Sequence, residues 1–401
     1  MSSQAAPAQG KMSLKQVKIT FAVIYFMFMS ARAIFSPFIT IYLGEKGLSA
    51  ELIGRVTGIN SLVIILSQPF WGIISDKLRS MKKTLVFCIV AQALFAISLI
   101  FASDVFLIAI CFSIYTTFSS AEGPLLDTWS LKSIKDAGDA NAMGQLKLWG
   151  CIGYAVCSVI AGFFIRSHSA SAIIPVFSIV LLATALGLHL IKTNAVPEKP
   201  AKLKELQLGR ILKHKEFLIF LAFIFVMQLA HRASYTFYPL LIVQLGGDSS
   251  IVGYASAAMF VSQATIMYFS KKMLSRFRPE YLVMASSFSF MLWHLMLRFA
   301  TSPWHVMLTC VMDGPSFALF TMGTLYYLDY LAPKELRTTY QTVAYSVYFG
   351  LSGIVGNVGG GWIIEHMGYK TMYTTGIALT FAATAVFFLI NRGKARREAS
   401  A

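Results

Sequence analysis

The sequence predicts an all-α integral membrane protein of twelve transmembrane helices arranged as two pseudo-symmetric six-helix bundles. Three observations predict it. The chain of 401 residues is 56% hydrophobic and only 13% charged, about half the charged share of a soluble domain. Apolar runs near the ~20 residues that cross a bilayer recur along its whole length. The loops between them alternate between basic and nearly bare, as membrane-crossing chains do.

Runs begin near Val17, Ser49, Thr84, Val105, Lys147 and Ile173, and again near Phe217, Ile251, Tyr281, His305, Thr339 and Thr371. One set of loops holds Lys77, Arg79, Lys82 and Lys83, then Lys132 and Lys135, then Lys271, Lys272, Arg276 and Arg278, then Lys334 and Arg337. The other set is nearly bare, with Lys46, Asp104, Arg166, Asp248 and Lys370. Positive charge marks the cytoplasmic side. Both termini fall on that side, which demands an even number of spans. The longest polar stretch carries Pro197 and Pro200 among lysines. It divides the chain into an N-terminal bundle (1–191), a cytoplasmic linker (192–216) and a C-terminal bundle (217–401). A short internal repeat supports a duplicated unit. Ser67-Gln68 precedes Asp76-Lys77 at the offset at which Ser262-Gln263 precedes Lys271-Lys272.

Composition also excludes. The net charge of +16 sits in short clusters between apolar runs, so it points to a lipid bilayer and not to nucleic acid. The five cysteines show no metal spacing and read as free buried thiols. No metal and no cofactor is expected. Residues 1–10 carry no lysine or arginine, unlike a cleavable signal. HExxH, P-loop and dinucleotide fingerprints are absent from the sequence, which argues against an enzyme.

The charges inside the apolar runs say most. Arg32, Asp127, Arg232 and Asp313 each lie where a charge costs about 2.5–3.5 kcal/mol even on the lenient insertion scale. Keeping both signs at that depth implies a polar pathway. Glu122 and Asp127 lie five residues apart, roughly 140° around a helix, so one of them is expected to face the pathway. Asp313 precedes a Gly314-Pro315 break of the kind tolerated where a span lines a cavity. His231 and His294 are titratable neighbours. Trp129, Trp149, Tyr235, Tyr238 and Trp293 could stack on a ring or pack as core.

The stretch from Gly72 through Asp76, Lys77 and Arg79 to Lys82 and Lys83 resembles the loop 2–3 signature of the major facilitator superfamily. The segment from Gly144 through Lys147, Trp149, Gly150, Cys151 and Gly153 to Tyr154 is similar to span five of the oligosaccharide:proton symporters, the lactose permease-like group. The segment Ala230-His231-Arg232 to Tyr235 is similar to span seven of the phenylpropionate permease group. Carried over by position, the resemblance puts Asp127 at a substrate-binding span-four carboxylate, Lys147 at a sugar-gripping span-five cation, and Asp313 at a span-ten proton-coupling histidine. Three departures break that circuit: Phe260, Trp293 and Ser316 stand where the group has an acid, an arginine and a glutamate.

The resemblance implies a secondary transporter of a bacterial cytoplasmic (inner) membrane, multi-pass, working by alternating access. Its substrate would be a small polar or anionic solute, a sugar or an aromatic carboxylate, taken up with protons. Substrate binding then falls to Arg32, Asp127, Lys147, Trp149, Arg232 and Tyr235. Proton coupling falls to Asp313, Glu122, His231 and His294. Gating falls to Gly72, Asp76 and Arg79, with the glycine face Gly350, Gly353, Gly356, Gly359 and Gly360 of span eleven as the neighbour of that gate. The competing class is an efflux antiporter, whose proline-glycine pattern in span five this sequence lacks. Twelve spans with an internal site need no partner subunit, so a monomer is expected.

Overall fold

The computed structural model describes residues 13–139, 143–191, 213–333 and 336–400, and among them every regular element is helical. Ten helical stretches are long and apolar enough to cross a membrane. The last of these, Thr339–Arg392, is 54 residues long and turns at Gly368, whose φ of 81° is left-handed, so it holds spans eleven and twelve. Pro279–Arg298, 20 residues, is span nine, about 30 Å long at 1.5 Å per residue. The expectation of twelve spans is met. The linker expected at 192–216 lies outside the described residues up to 212, and its end is already helix, because span seven begins at Lys215.

Two spans are broken, for local reasons. Span one runs as Leu14–Phe35, stops before Pro37, and resumes as Ile39–Glu45. Pro37 has no N–H to give and restricts the residue before it. Span four runs Val105–Ser119, breaks over Ser120 and Ala121, and restarts as Glu122–Asp136. Pro124 falls in the first turn of the restart, where a missing N–H costs nothing. Glu122 therefore sits at the N-terminus of a half-helix, whose dipole favours a carboxylate. The other spans are two (Ala50–Lys77), three (Met81–Phe101), five (Met143–Ser167), six (Ile173–Leu190), eight (Ser249–Arg276) and ten (Pro303–Leu331).

Each bundle has its own aromatic core. Phe35 of span one stacks on Phe177 of span six at 4.7 Å, and Phe223 of span seven on Phe387 of span twelve at 4.4 Å. Two loop charges outside this core cap helices. Lys46 donates to the carbonyls of Ile100 and Ala102 at the end of span three. Lys82 does the same for His189 and Ile191 at the end of span six. A lysine at a helix C-terminus satisfies orphan carbonyls and the dipole together.

The bundles meet along two seams, both through small residues that let backbones touch. Span two lies on span eleven: Gly54 opposes the Asn357 carbonyl, Gly361 opposes Ala50, and Gly353 opposes Ser61. Span five lies on span eight: a Cβ on Gly253 would lie 2.5 Å from the Ser158 carbonyl, and one on Gly162 would lie 2.6 Å from that of Ser249. The seams close the end of the molecule opposite the N-terminus. There Ala50 N–H donates to Glu365 at 3.0 Å and Arg166 Nε meets Asp248 at 3.1 Å. Partial burial alone would push the Asp248 carboxyl up, but the Ser250 hydroxyl, Arg166 and the amides of Ile251 and Ser250 hold it below the usual carboxylate range. Toward the N-terminal face Leu66, Phe70, Tyr268 and Phe269 are exposed.

The glycine face of span eleven divides between two neighbours. Gly350 and Gly353 pack on span two, while Gly356 and Gly360 pack on Leu229 and Ala233 of span seven. Gly359 has no neighbour within 4 Å. The face expected to meet the gate loop thus packs on spans two and seven.

A side chain at Gly54 or Gly253 has nowhere to go while this closure holds. Overpacking of this kind costs about 1–3 kcal/mol. The double change Gly54→Leu with Gly253→Leu should open that end, lengthening the distance between nitroxides at residues 167 and 244 measured by electron–electron double resonance.

Candidate functional site

The broken spans and the two arginines converge at mid-depth between the bundles. On the N-terminal side, Arg32 and Glu122 line one polar cavity with Asn60 and Gln92. They lie close enough for their charges to interact. Arg32 also lies within electrostatic range of Tyr154 of span five and, across the interface, of Tyr235 and Arg232. Glu122 is 1% exposed, and its Oε1 has no hydrogen-bond partner among the described residues.

On the C-terminal side, span seven presents Gln228, His231, Arg232 and Tyr235 in two adjacent turns. His231 Nε2 lies 2.9 Å from Asp313 Oδ1 of span ten, and its Nδ1 lies 3.1 Å from Gln228 Oε1. The pair is almost sealed, with side chains 4% and 3% exposed. Phe290, Trp293 and Phe317 surround the imidazole at 4.6–5.6 Å. Asp313 thus pairs with a histidine and not with an arginine among the described residues. Arg232 instead lies over the Phe349 ring at 4.5 Å, and its Nε and Nη2 have no hydrogen-bond partner among the described residues. Phe349 belongs to a π-helical segment of span eleven, Ser346–Leu351, an irregularity that often marks functional positions.

Nearer the N-terminal face, Asp127 Oδ2 pairs with Lys147 Nζ at 2.8 Å, and Asp127 Oδ1 accepts from Tyr25 Oη at 2.5 Å. Both charged side chains are nearly half exposed, so the pair is worth little as a staple and is free to exchange partners. Glu122 and Asp127 lie on the same unbroken helix, and the five-residue separation turns Glu122 toward Arg32 and Asp127 toward Lys147.

Five candidate residues fall elsewhere. Trp149 is half exposed on one stripe with Ile152, Val156, Ile160 and Phe163, the 3–4-residue spacing of a single helix face. That stripe faces away from Lys147 and toward lipid. Trp149 is therefore not at the site, and Tyr154 is, seven residues after Lys147 on its face. Tyr154 hydrogen-bonds Tyr235 across the interface and stacks on Phe260 at 3.6 Å. His294 is fully buried behind span seven, its Nε2 3.3 Å from the Ala230 carbonyl, without an acidic partner among the described residues. Trp129 and Trp293 are fully buried core, and Tyr238 bonds Ser256 at 2.9 Å. Ser316, at the position of the lost glutamate, bonds Ser289 at 2.7 Å.

The residues expected to gate lie at the end of span two and in the turn after it. Gly72 has no neighbour within 4 Å, and Arg79 takes a positive φ of 49° in the turn after span two. Asp76 forms no ion pair among the described residues within 4.0 Å. Gly314 serves packing rather than a cavity, since it lets span ten touch the Met259 carbonyl and Gln263 backbone of span eight.

Twelve spans in two bundles around a charged mid-depth site define a multi-pass membrane transporter for small molecules. The chain belongs to the MFS_1 like family, whose model matches residues 18–375. It is 28% identical over 389 residues to the maltose permease of Geobacillus stearothermophilus, covering 96% of each chain. It is 22% identical to the sucrose permease of Escherichia coli, covering 86% of this chain and 87% of that one. It is 23% identical to the "Probable 3-phenylpropionic acid transporter" of Escherichia coli (strain K12), covering 88% and 92%. In fold it matches the crystal structure of the nucleoside transporter NupG with a TM-score of 0.79 at 15% identity, over 93% of this chain and 98% of that one.

The two faces of span five separate by mutation. Trp149→Ala should leave the initial transport rate within about twofold, as for a surface change. Tyr154→Ala should lower it about tenfold, the scale of a lost stacking and hydrogen-bonding group.

Proposed function

We propose that this protein is a proton-coupled symporter that takes up a di- or oligosaccharide by alternating access, with the closed end facing outside and both termini in the cytoplasm. The observation that carries this reading is the unspent hydrogen bonding at mid-depth. Arg232 offers two unpaired N–H donors and Glu122 an unpaired acceptor. Arg32 faces the pathway beside Tyr154 and Tyr235. Donors and acceptors in one site suit hydroxyl groups, which are both. The phenolic rings suit the apolar face of a sugar. Relatives named as maltose and sucrose permeases support the substrate class.

His231 and Asp313 carry the proton in this reading. A carboxyl and an imidazole in contact inside an aromatic cage can hold one proton between them. Arg232 follows His231 directly in the chain and lies within electrostatic range of Asp313. With Asp313 charged, Arg232 is drawn to it. With the dyad protonated, Arg232 is released to the solute. Asp127 and Lys147 then exchange their mutual pair for substrate hydroxyls, and Tyr25 holds Asp127 in place.

Two variants test the two roles. Asp313→Asn should abolish accumulation of labelled maltose against a gradient yet keep exchange across vesicles; full accumulation would remove Asp313 from the proton path. Arg232→Gln should weaken maltose binding about ten- to hundredfold, the range for a hydrogen bond to a charged group, with an unchanged dissociation constant as the contrary result. If a panel of maltose, sucrose and 3-phenylpropionate alkalinises a weakly buffered suspension of de-energised cells only with the acid, the carboxylate reading replaces the saccharide one.

A further inference from the structure

We propose that the cavity inside the N-terminal bundle is a subsite for one terminal pyranose ring of the substrate, read by Asn60, Gln92, Glu122 and Arg32. This rests on the saccharide reading above. The cavity measures about 200 Å³ between spans one, two, three and four. That is below the roughly 300 Å³ at which whole-ligand sites begin and suits one ring.

Three polar side chains line it almost completely buried: Asn60 at 5%, Gln92 at 2% and Glu122 at 1% exposure. Each has an atom without a protein partner among the described residues: Asn60 Nδ2, Gln92 Oε1 and Glu122 Oε1. Natural proteins rarely leave buried polar atoms unmatched without a functional reason. Here three converge on one cavity.

The charges select the occupant. Arg32 lines the same wall and opposes a bare cation. Glu122 opposes an anion. A neutral ring bearing several hydroxyls satisfies both signs, since each hydroxyl donates and accepts. Phe35 and Phe112 also line the cavity and give the ring's C–H face an apolar surface. Arg32 lies between this cavity and the tyrosines of the interface, so a disaccharide held by Arg32 would put its second ring against Tyr154 and Tyr235. The subsite thus lies deeper than the Asp127–Lys147 pair and owes nothing to Trp149.

The experiment uses the full chain in proteoliposomes with labelled maltose, competed by unlabelled maltose and by 4-O-α-D-galactosyl-D-glucose. The two sugars differ in the configuration of one hydroxyl on the non-reducing ring. In the wild type maltose should compete at least tenfold better. In Gln92→Met and Asn60→Leu maltose affinity should fall about tenfold and the two competitors should converge. Thermal unfolding separates loss of the site from loss of the fold, and Gln92→Asn, which keeps the amide but withdraws it by one methylene, gives a second decision if either apolar variant does not fold. Unchanged affinity and unchanged discrimination in the folded variants would overturn the subsite and leave saccharide transport standing, as would be so if water alone fills the cavity. A lowered accumulation ratio with affinity and discrimination intact would also overturn it, by making the cavity a site for the coupling ion. A wild type that takes up no glucoside would remove the saccharide reading itself, and the subsite with it.

Discussion

A charge held at membrane depth must face another charge, a dipole or a polar cavity, because lipid offers it nothing. Much of this chain is arranged around that constraint. Glu122 starts a half-helix, so free backbone N–H groups lie beside a carboxylate that has no hydrogen bond on one oxygen. Asp313 is met by His231, and His231 by Gln228. Asp127 takes both Lys147 and Tyr25. Arg232 has a ring in place of an anion, which leaves its hydrogen-bonding edges unspent. The breaks in spans one and four fall beside the same polar cavity, which Ser36 and Ser119 help to line. The irregular stretches sit where they border a cavity and not where they meet lipid.

The seams between the bundles answer a second demand, that closure be firm and still reversible. Gly54, Gly162, Gly253 and Gly361 bring backbone against backbone. Such contacts gain dispersion without burying new charge, and hydrocarbon tails replace them at little loss when they part. Among the described residues the bundles are joined at the far rim by the Arg166–Asp248 ion pair and by the Ala50 N–H donating to the Glu365 carboxylate. Partly exposed pairs of that kind contribute little. A carrier bolted by buried ion pairs would close once and stay closed.

Spans and depths were legible in the sequence because they depend on composition over twenty residues, a scale on which local error averages out. Arg32, Arg232, Asp127 and Asp313 were legible for the same reason: a charge in an apolar run stands out wherever it points. Azimuth was less so. Choosing Trp149 over Tyr154 is a difference of five residues, about 140° of rotation, which the depth of a residue within its span leaves open. The apolar stripe through Ile152, Val156, Ile160 and Phe163 did contain the answer, because lipid-facing residues recur at helical spacing. His294 failed differently. It stands beside Trp293, at the position of the resembling group's arginine, and the packing of spans seven and twelve against it leaves it no acidic partner among the described residues. The glycines of span eleven announced close packing correctly but not with which neighbour, since one helix offers small residues to two partners at once.

The adjacency of His231 and Arg232 ties the proposed proton site to the proposed solute site more closely than any relay of distant groups. One side chain turns inward to Asp313, and the next, about 100° around the helix, turns to the pathway. Moving either moves the backbone that carries both. If the solute draws Arg232 away from Asp313, the carboxylate loses a countercharge and a proton becomes its remaining partner. Linkage then requires the converse: a proton on the dyad must favour the solute by the same factor. The span-ten glutamate of the resembling group is unnecessary to such a scheme, and Ser316 can bond Ser289 as an ordinary packing residue. Coupling would have moved from a circuit spread across spans eight, nine and ten to His231 and Arg232 of span seven with Asp313 of span ten. That relocation accounts for the loss of three expected charges without the loss of a buried acid that a proton could use.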